Sequence, residues 1–138
     1  MARPQKHDAR MFQRCALQRY EEALVLLKAG YTTGAVYLAG YGIECMLKAL
    51  VLNGVSTKSR PETLKSFRGN KAHDFEWLKD AYLRNGGAAL PLEVARDLSV
   101  VADWSTELRY TPNLIGDREA SRFLKAAKAI IDWASGRL

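Results

Sequence analysis

The stretch Arg68-Gly69-Asn70-Lys71-Ala72-His73-Asp74 sets an arginine five residues before one of the chain's two histidines, with four residues between them. An imidazole titrates near neutrality and can move a proton, and a guanidinium grips phosphate oxygens in a planar fork. Two readings follow. Arg68 and His73 are the centre of a small ribonuclease, or His73-Asp74 makes the polar contacts of a helix start and Arg68 is solvated. A second set is Glu44 and Lys48, four apart with the acid first, with Trp104, Arg109 and the adjacent Tyr110. An arginine beside a tyrosine can hold a phosphate while an aromatic ring stacks a base. The same residues admit an internal role, with Arg109 paired to a buried Glu44 so that a later segment is pinned onto the helix carrying Glu44. Glu44 and Lys48 also read as a pair on the solvent edge of their helix. His7, near the terminus, reads as solvated.

Other chemistries lack their residues. No Gly-rich loop ends in Gly-Lys-Ser/Thr, so nothing cradles a nucleotide in the P-loop manner. Cysteine and histidine do not fall in paired zinc spacing, carboxylates are scattered, and no Gly-x-Ser-x-Gly elbow appears. Neither a metal nor a cofactor is expected. Cys15 and Cys45 sit in apolar helical patterns and read as reduced core thiols.

The chain has 138 residues, 48% hydrophobic and 26% charged, which fits one soluble domain spanning residues 1–138. The N-terminal segment is charged and no window approaches about 18 uncharged apolar residues, so neither a signal peptide nor a membrane span is expected, and a cytoplasmic location is. Net charge is +6, with a pI near 9.5. Its distribution is more informative than its sum. Residues 1–20 hold Arg3, Lys6, Arg10, Arg14 and Arg19 against Asp8; residues 55–72 hold Lys58, Arg60, Lys65, Arg68 and Lys71 against Glu62. Two local blocks of net +4 suit an anionic partner such as a nucleotide or RNA, without requiring one.

Every long periodic segment reads as helix. The first spans about Gln5 to Ala29, with Phe12, Ala16, Ala23 and Leu27 on one face and Lys6, Arg10 and Arg14 in a stripe opposite. Gly30 stops it. The second starts near Thr32 or Thr33, runs to about Leu52 and is the most apolar. Its Gly34, Gly40 and Gly42 each cost roughly 1 kcal/mol against alanine, which suggests a close backbone approach inside a bundle or at a dimer contact. A short turn over Glu62–Phe67 follows Pro61. Another helix runs from about Asp74 to Arg84 and is broken by Asn85-Gly86-Gly87. Pro91 opens the next, carrying Val94, Leu98, Val101 and Ala102 toward the core. Ser105 to Gly116 reads as irregular. Asp117 starts a final helix with Ala120, Phe123, Leu124, Ala127, Ile130, Ile131 and Ala134 inward, and Arg118, Arg122 and Lys125 outward. The fold class is all-α: an up-and-down bundle of four main helices plus a short extra helix.

Three segments carry a family resemblance: Tyr37 to Gly54 (YLAGYGIECMLKALVLNG), Ala72 to Leu78 (AHDFEWL) and Trp104 to Pro112 (WSTELRYTP). In this order and spacing they resemble the HEPN domain family over roughly residues 8–135. The resemblance implies a bundle of four or five helices, usually a homodimer, often encoded beside a minimal nucleotidyltransferase in a toxin–antitoxin or defence pair. Many members are metal-independent ribonucleases with an Arg-x4-6-His motif, in which the histidine moves the proton of a ribose 2′-OH and the arginine stabilises the phosphate. Others bind nucleotides or RNA, or serve as non-catalytic dimerisation or scaffold domains. Arg68 and His73 have the right spacing, but in the ribonuclease members that motif starts the last core helix. His73 matches instead the His-Asp-Leu-like start of a middle helix in the nucleotide-binding branch. Glu44, Lys48, Trp104, Arg109 and Tyr110 match the family's patterned positions and are the expected nucleotide or RNA contacts. Helix two or the final helix is the expected dimer face.

Overall fold

The computed structural model describes residues 7–112 and 115–138. Gln5 and Lys6, the start of the expected first helix and of its basic stripe, and Arg3 of the first basic block lie outside them. The described residues form six α-helices and two 3₁₀ turns with no strand among them: an all-α bundle. In chain order they are α1 (His7–Lys28), α2 (Thr32–Gly54), α3 (Arg60–Ser66), a 3₁₀ turn at Asn70–His73, α4 (Phe75–Arg84), α5 (Leu92–Val100), a 3₁₀ turn at Thr106–Tyr110, and α6 (Asp117–Ser135). The stretch expected to be irregular thus contains one ordered turn, and α5 stops short of Val101 and Ala102; Val101 is buried as expected, but Ala102, expected in the core, is exposed because the helix has ended before it.

α2 is the hub. Every residue from Gly42 to Asn53 is buried, and α1, α4 and α6 pack around the helix. By length and composition α2 could cross a membrane, yet 83% of its apolar window is buried inside the bundle. α1 meets it through Ala9, Ala16 and Ala23, seven apart and each at most 2% exposed. Small residues at this spacing let two helices approach closely. Gly42 completes the contact: a Cβ there would lie 3.1 Å from the Ala16 carbonyl oxygen of α1. Gly40 serves another neighbour. The Trp104 indole lies against it so closely that a Cβ would fall 2.0 Å from Nε1. Both glycines are therefore used for close approaches within the chain.

Two of the helix ends follow one rule. At Gly30 (φ +89) the amide of Tyr31 bonds to the Leu26 carbonyl and that of Gly30 to Leu27. At Gly86 (φ +87) Gly87 bonds to Tyr82, and Gly86 to Leu83. Each is a Schellman ending, which needs a residue in the left-handed region and so favours glycine. α4 begins on Asp74, whose carboxylate accepts the Glu76 amide at 2.8 Å. That cap fixes the direction in which the 3₁₀ turn before it delivers His73.

Candidate functional site

Glu44 lies on α2 and is 2% exposed. A carboxylate buried this deeply needs partners for both oxygens. Its Oε2 accepts from Lys48 Nζ at 2.7 Å, one turn along α2. Its Oε1 lies 2.9 Å from His73 Nδ1, on the 3₁₀ turn 29 positions later. Lys48 is buried as well, its ammonium 5.9 Å from the Phe12 ring centre and 5.5 Å from that of Phe67. Both rings offer their electron-rich faces to the cation. The Phe12 and Phe67 rings meet edge-on at 5.9 Å, so α1 closes over this end of α2 beside α3. Arg10 and Arg14 flank Phe12 two positions either side, about 160° round the helix from it at ~100° per residue.

Glu44 thus joins a buried cation to a half-exposed imidazole, whose side chain keeps 44% of its surface. A carboxylate has no hydrogen to give, so Nδ1 carries the proton in the contact with Glu44. The contact holds the ring in one orientation, with Nε2 on the side away from α2. His73 also lines a cleft of about 490 Å³, with Asn70, Asp74, Ser105, Thr106 and Glu107 as its other polar residues. Phe75 and Trp104 contribute the apolar lining. Their rings stack at 5.2 Å and 11°, and Trp104 stacks in turn on Tyr37 at 6.0 Å. The indole N–H donates to the Tyr37 carbonyl at 3.3 Å.

The structure sorts the residues singled out by sequence. Glu44, Lys48 and His73 come together. Glu44 and Lys48 form a buried pair, not a solvent-edge pair, because His73, Phe12 and Phe67 cover that side of α2. The expected Arg109–Glu44 pair is not formed. Arg109 is exposed, donates from Nε to the Thr106 carbonyl at 3.0 Å and lies 5.3 Å from the ring of Tyr110, itself 78% exposed. The oxygens of Glu44 already have partners nearer in space. Arg68 lies beyond α3 on the surface, and no hydrogen bond or ion pair among the described residues joins it to His73. The four-residue spacing places the two on successive turns without aiming them at one another. Trp104 is 8% exposed and already stacked on two rings, so it floors the cleft and is not a free stacking surface.

Sequence reasoning missed the Glu44–His73 contact and the roles of Tyr37, Phe75, Asn70, Ser105 and Thr106. One signal was available: a carboxylate in the middle of the most apolar helix has to be answered by a polar side chain from elsewhere in the chain.

Both cysteines are unbonded, Cys45 buried and Cys15 half-buried. Burial pushes the Cys45 thiol up to about 12, with the Glu44 carboxylate adding to the rise. Burial likewise raises the Tyr41 and Tyr20 hydroxyls above their ordinary range. No cluster of three or more histidine, cysteine or carboxylate side chains suited to a metal occurs among the described residues.

A family model, the HEPN domain, matches residues 9–137. No curated protein and no solved structure matches the chain.

Proposed function

The chain belongs to the HEPN domain family, and from that premise we propose that it is a nucleotide- or RNA-binding module centred on the His73 cleft. The observation that carries this reading is the grip of buried Glu44 on His73 Nδ1, which holds the other ring nitrogen away from α2 beside a polar cleft with an aromatic floor. Asp74 and Glu107 in the lining suit sugar hydroxyls and base N–H groups better than a bare phosphate. The phosphates reach instead toward the basic segment that holds Arg68 and Lys71, with Arg109 and Tyr110 at the outer edge. Glu44 and Lys48 serve by positioning, since neither reaches the surface. The test is calorimetric titration with ATP and with an oligoribonucleotide at low and raised salt. Saturable binding is expected, weakened by up to about ten-fold in His73→Ala by loss of a hydrogen bond, and falling with salt as phosphate contacts require. No saturable binding at low salt would refute the reading.

The same contact favours a second reading. A histidine oriented by a carboxylate can act as general base toward a ribose 2′-OH, so the protein is a metal-independent endoribonuclease. Arg68 then has to swing toward the cleft, or a second copy has to supply the cation across a homodimer cleft. Cleavage in EDTA to cyclic-phosphate ends, lost in His73→Ala, would establish it; equal cleavage by both proteins would refute it. In either reading the protein works as a homodimer or beside a minimal nucleotidyltransferase, as in a toxin–antitoxin or defence pair. Light scattering of the protein alone and after co-expression with the product of a neighbouring reading frame tests both arrangements.

A further inference from the structure

Between Thr32 and Asn53 only Tyr41 is exposed, at 39%. Tyr37, Tyr41, Glu44 and Lys48 follow at steps of four, three and four, so they share one stripe of α2. Glu44 in that stripe holds His73, whose side chain is 44% exposed. The two partly exposed rings, Tyr41 and His73, therefore border the same surface.

Aromatic contacts run the same way. From the cleft floor, Phe75 stacks on Trp104, Trp104 on Tyr37, and Tyr37 meets Tyr41 edge-on at 6.2 Å. The series ends on the one ring left open to solvent. Arg19, ion-paired with Glu22 at 2.7 Å, stands close enough to Tyr41 for its charge to act on the phenol. Lys71 belongs to the same 3₁₀ turn as His73.

We infer that Tyr41 is a base-stacking subsite, and that the ligand of the His73 cleft is a single-stranded polynucleotide whose neighbouring base lies on Tyr41. This rests on the reading of the His73 cleft given above. The reach suits it: ring-to-ring steps of 6.0 and 6.2 Å lead from Trp104 on the cleft floor through Tyr37 to Tyr41, and adjacent nucleotides of a splayed strand lie farther apart than the about 3.4 Å of a stacked one. A duplex cannot use the subsite, because its base faces are covered by neighbouring pairs. A mononucleotide fills the cleft without reaching Tyr41.

The test measures binding of a labelled single-stranded oligouridylate, of the same strand in a duplex, and of UMP. Wild type, Tyr41→Ala, Tyr41→Phe and His73→Ala are compared, with circular dichroism as the folding control. Tyr41→Ala is expected to weaken the single strand about ten-fold, the scale of one lost base–aromatic stack. It leaves UMP unchanged, and Tyr41→Phe binds like wild type. Wild-type affinity for the single strand in a folded Tyr41→Ala, alongside weakened binding in His73→Ala, overturns the subsite and leaves the His73 reading standing. Binding of UMP but not of the single strand overturns the subsite alone, and absence of any RNA or nucleotide binding by the wild type overturns both. A shift of Tyr41→Ala from dimer to monomer in sedimentation, with RNA affinity unchanged, overturns the subsite by showing that a second copy covers this face.

Discussion

Gly40→Ala tests how the cleft floor is built. On an unobstructed helix the change stabilises by roughly 0.8–1 kcal/mol, because alanine is the better helix former. Here the added methyl carbon falls 2.0 Å from Trp104 Nε1, 2.2 Å from Cε2 and 2.3 Å from Cδ1. Ordinary contact begins at 3.4 Å, so the indole has to retreat by 1.4 Å. It is no flexible chain end: Phe75 and Tyr37 stack on it and its N–H is bonded to the Tyr37 carbonyl. If the neighbours yield, overpacking costs about 1–3 kcal/mol and the lost hydrogen bond about 0.5–1.5 kcal/mol. If the indole is expelled, the loss approaches the ~3–5 kcal/mol of a large-to-small core substitution. Either cost exceeds the propensity gain, so the expected net is a destabilisation of about 1–4 kcal/mol. Urea denaturation followed by circular dichroism measures it, with a red-shifted tryptophan emission reporting displacement of the indole. A variant as stable as wild type, or more so, would refute the close approach of Trp104 to α2.

Lys48→Met leaves Glu44 buried with His73 as its remaining partner, and is expected to cost ~3–5 kcal/mol by denaturation. Adding Glu44→Leu should recover most of that, since the lost term is an uncompensated charge; a double mutant no better than the single would count against it. Asp74→Ala removes the cap of α4 and should cost about 0.5–2 kcal/mol in thermal or urea unfolding; Asp74→Asn should cost much less. In the folded protein Cys15 should react with a thiol reagent at pH 8 while Cys45 stays protected until unfolding, since burial holds its thiol up to about 12 against an ordinary 9.0. A thiol raised in the folded state keeps its proton there longer than in the unfolded chain. Its stabilising effect is complete below about 9.0 and is lost as pH rises toward about 12. The raised Tyr20 and Tyr41 hydroxyls act in the same direction. Stability measured across that window should therefore fall with pH, by about 1.4 kcal/mol per pH unit for each proton of difference; a flat profile would contradict the burial of these groups.

The amino-acid sequence by itself determined the helices and most of their ends. Periodicity marks the buried faces of α1 and α6, and Gly30 and Gly86 mark turns only a left-handed residue closes easily. Asp74 marks the start of α4, because a carboxylate at that place satisfies an amide the helix cannot. These are local matters, settled within a few residues. The family too was legible, in the order of three segments. The neighbour of Glu44 was not. Sequence spacing offers Lys48, which is right, and an arginine at 109, which is wrong. The choice of His73 depends on how the 3₁₀ turn at Asn70–His73 is laid over α2, and no local pattern records that. Likewise the sequence shows three glycines in a helix and a demand for close approach, but not that one admits the α1 backbone and another an indole. Arg68 and His73 show the limit from the other side: their spacing satisfies a motif, while packing turns the histidine onto a buried carboxylate and leaves the arginine in solvent. Spacing along a chain fixes which face a residue can use; only the packing of one element on another decides what it meets there.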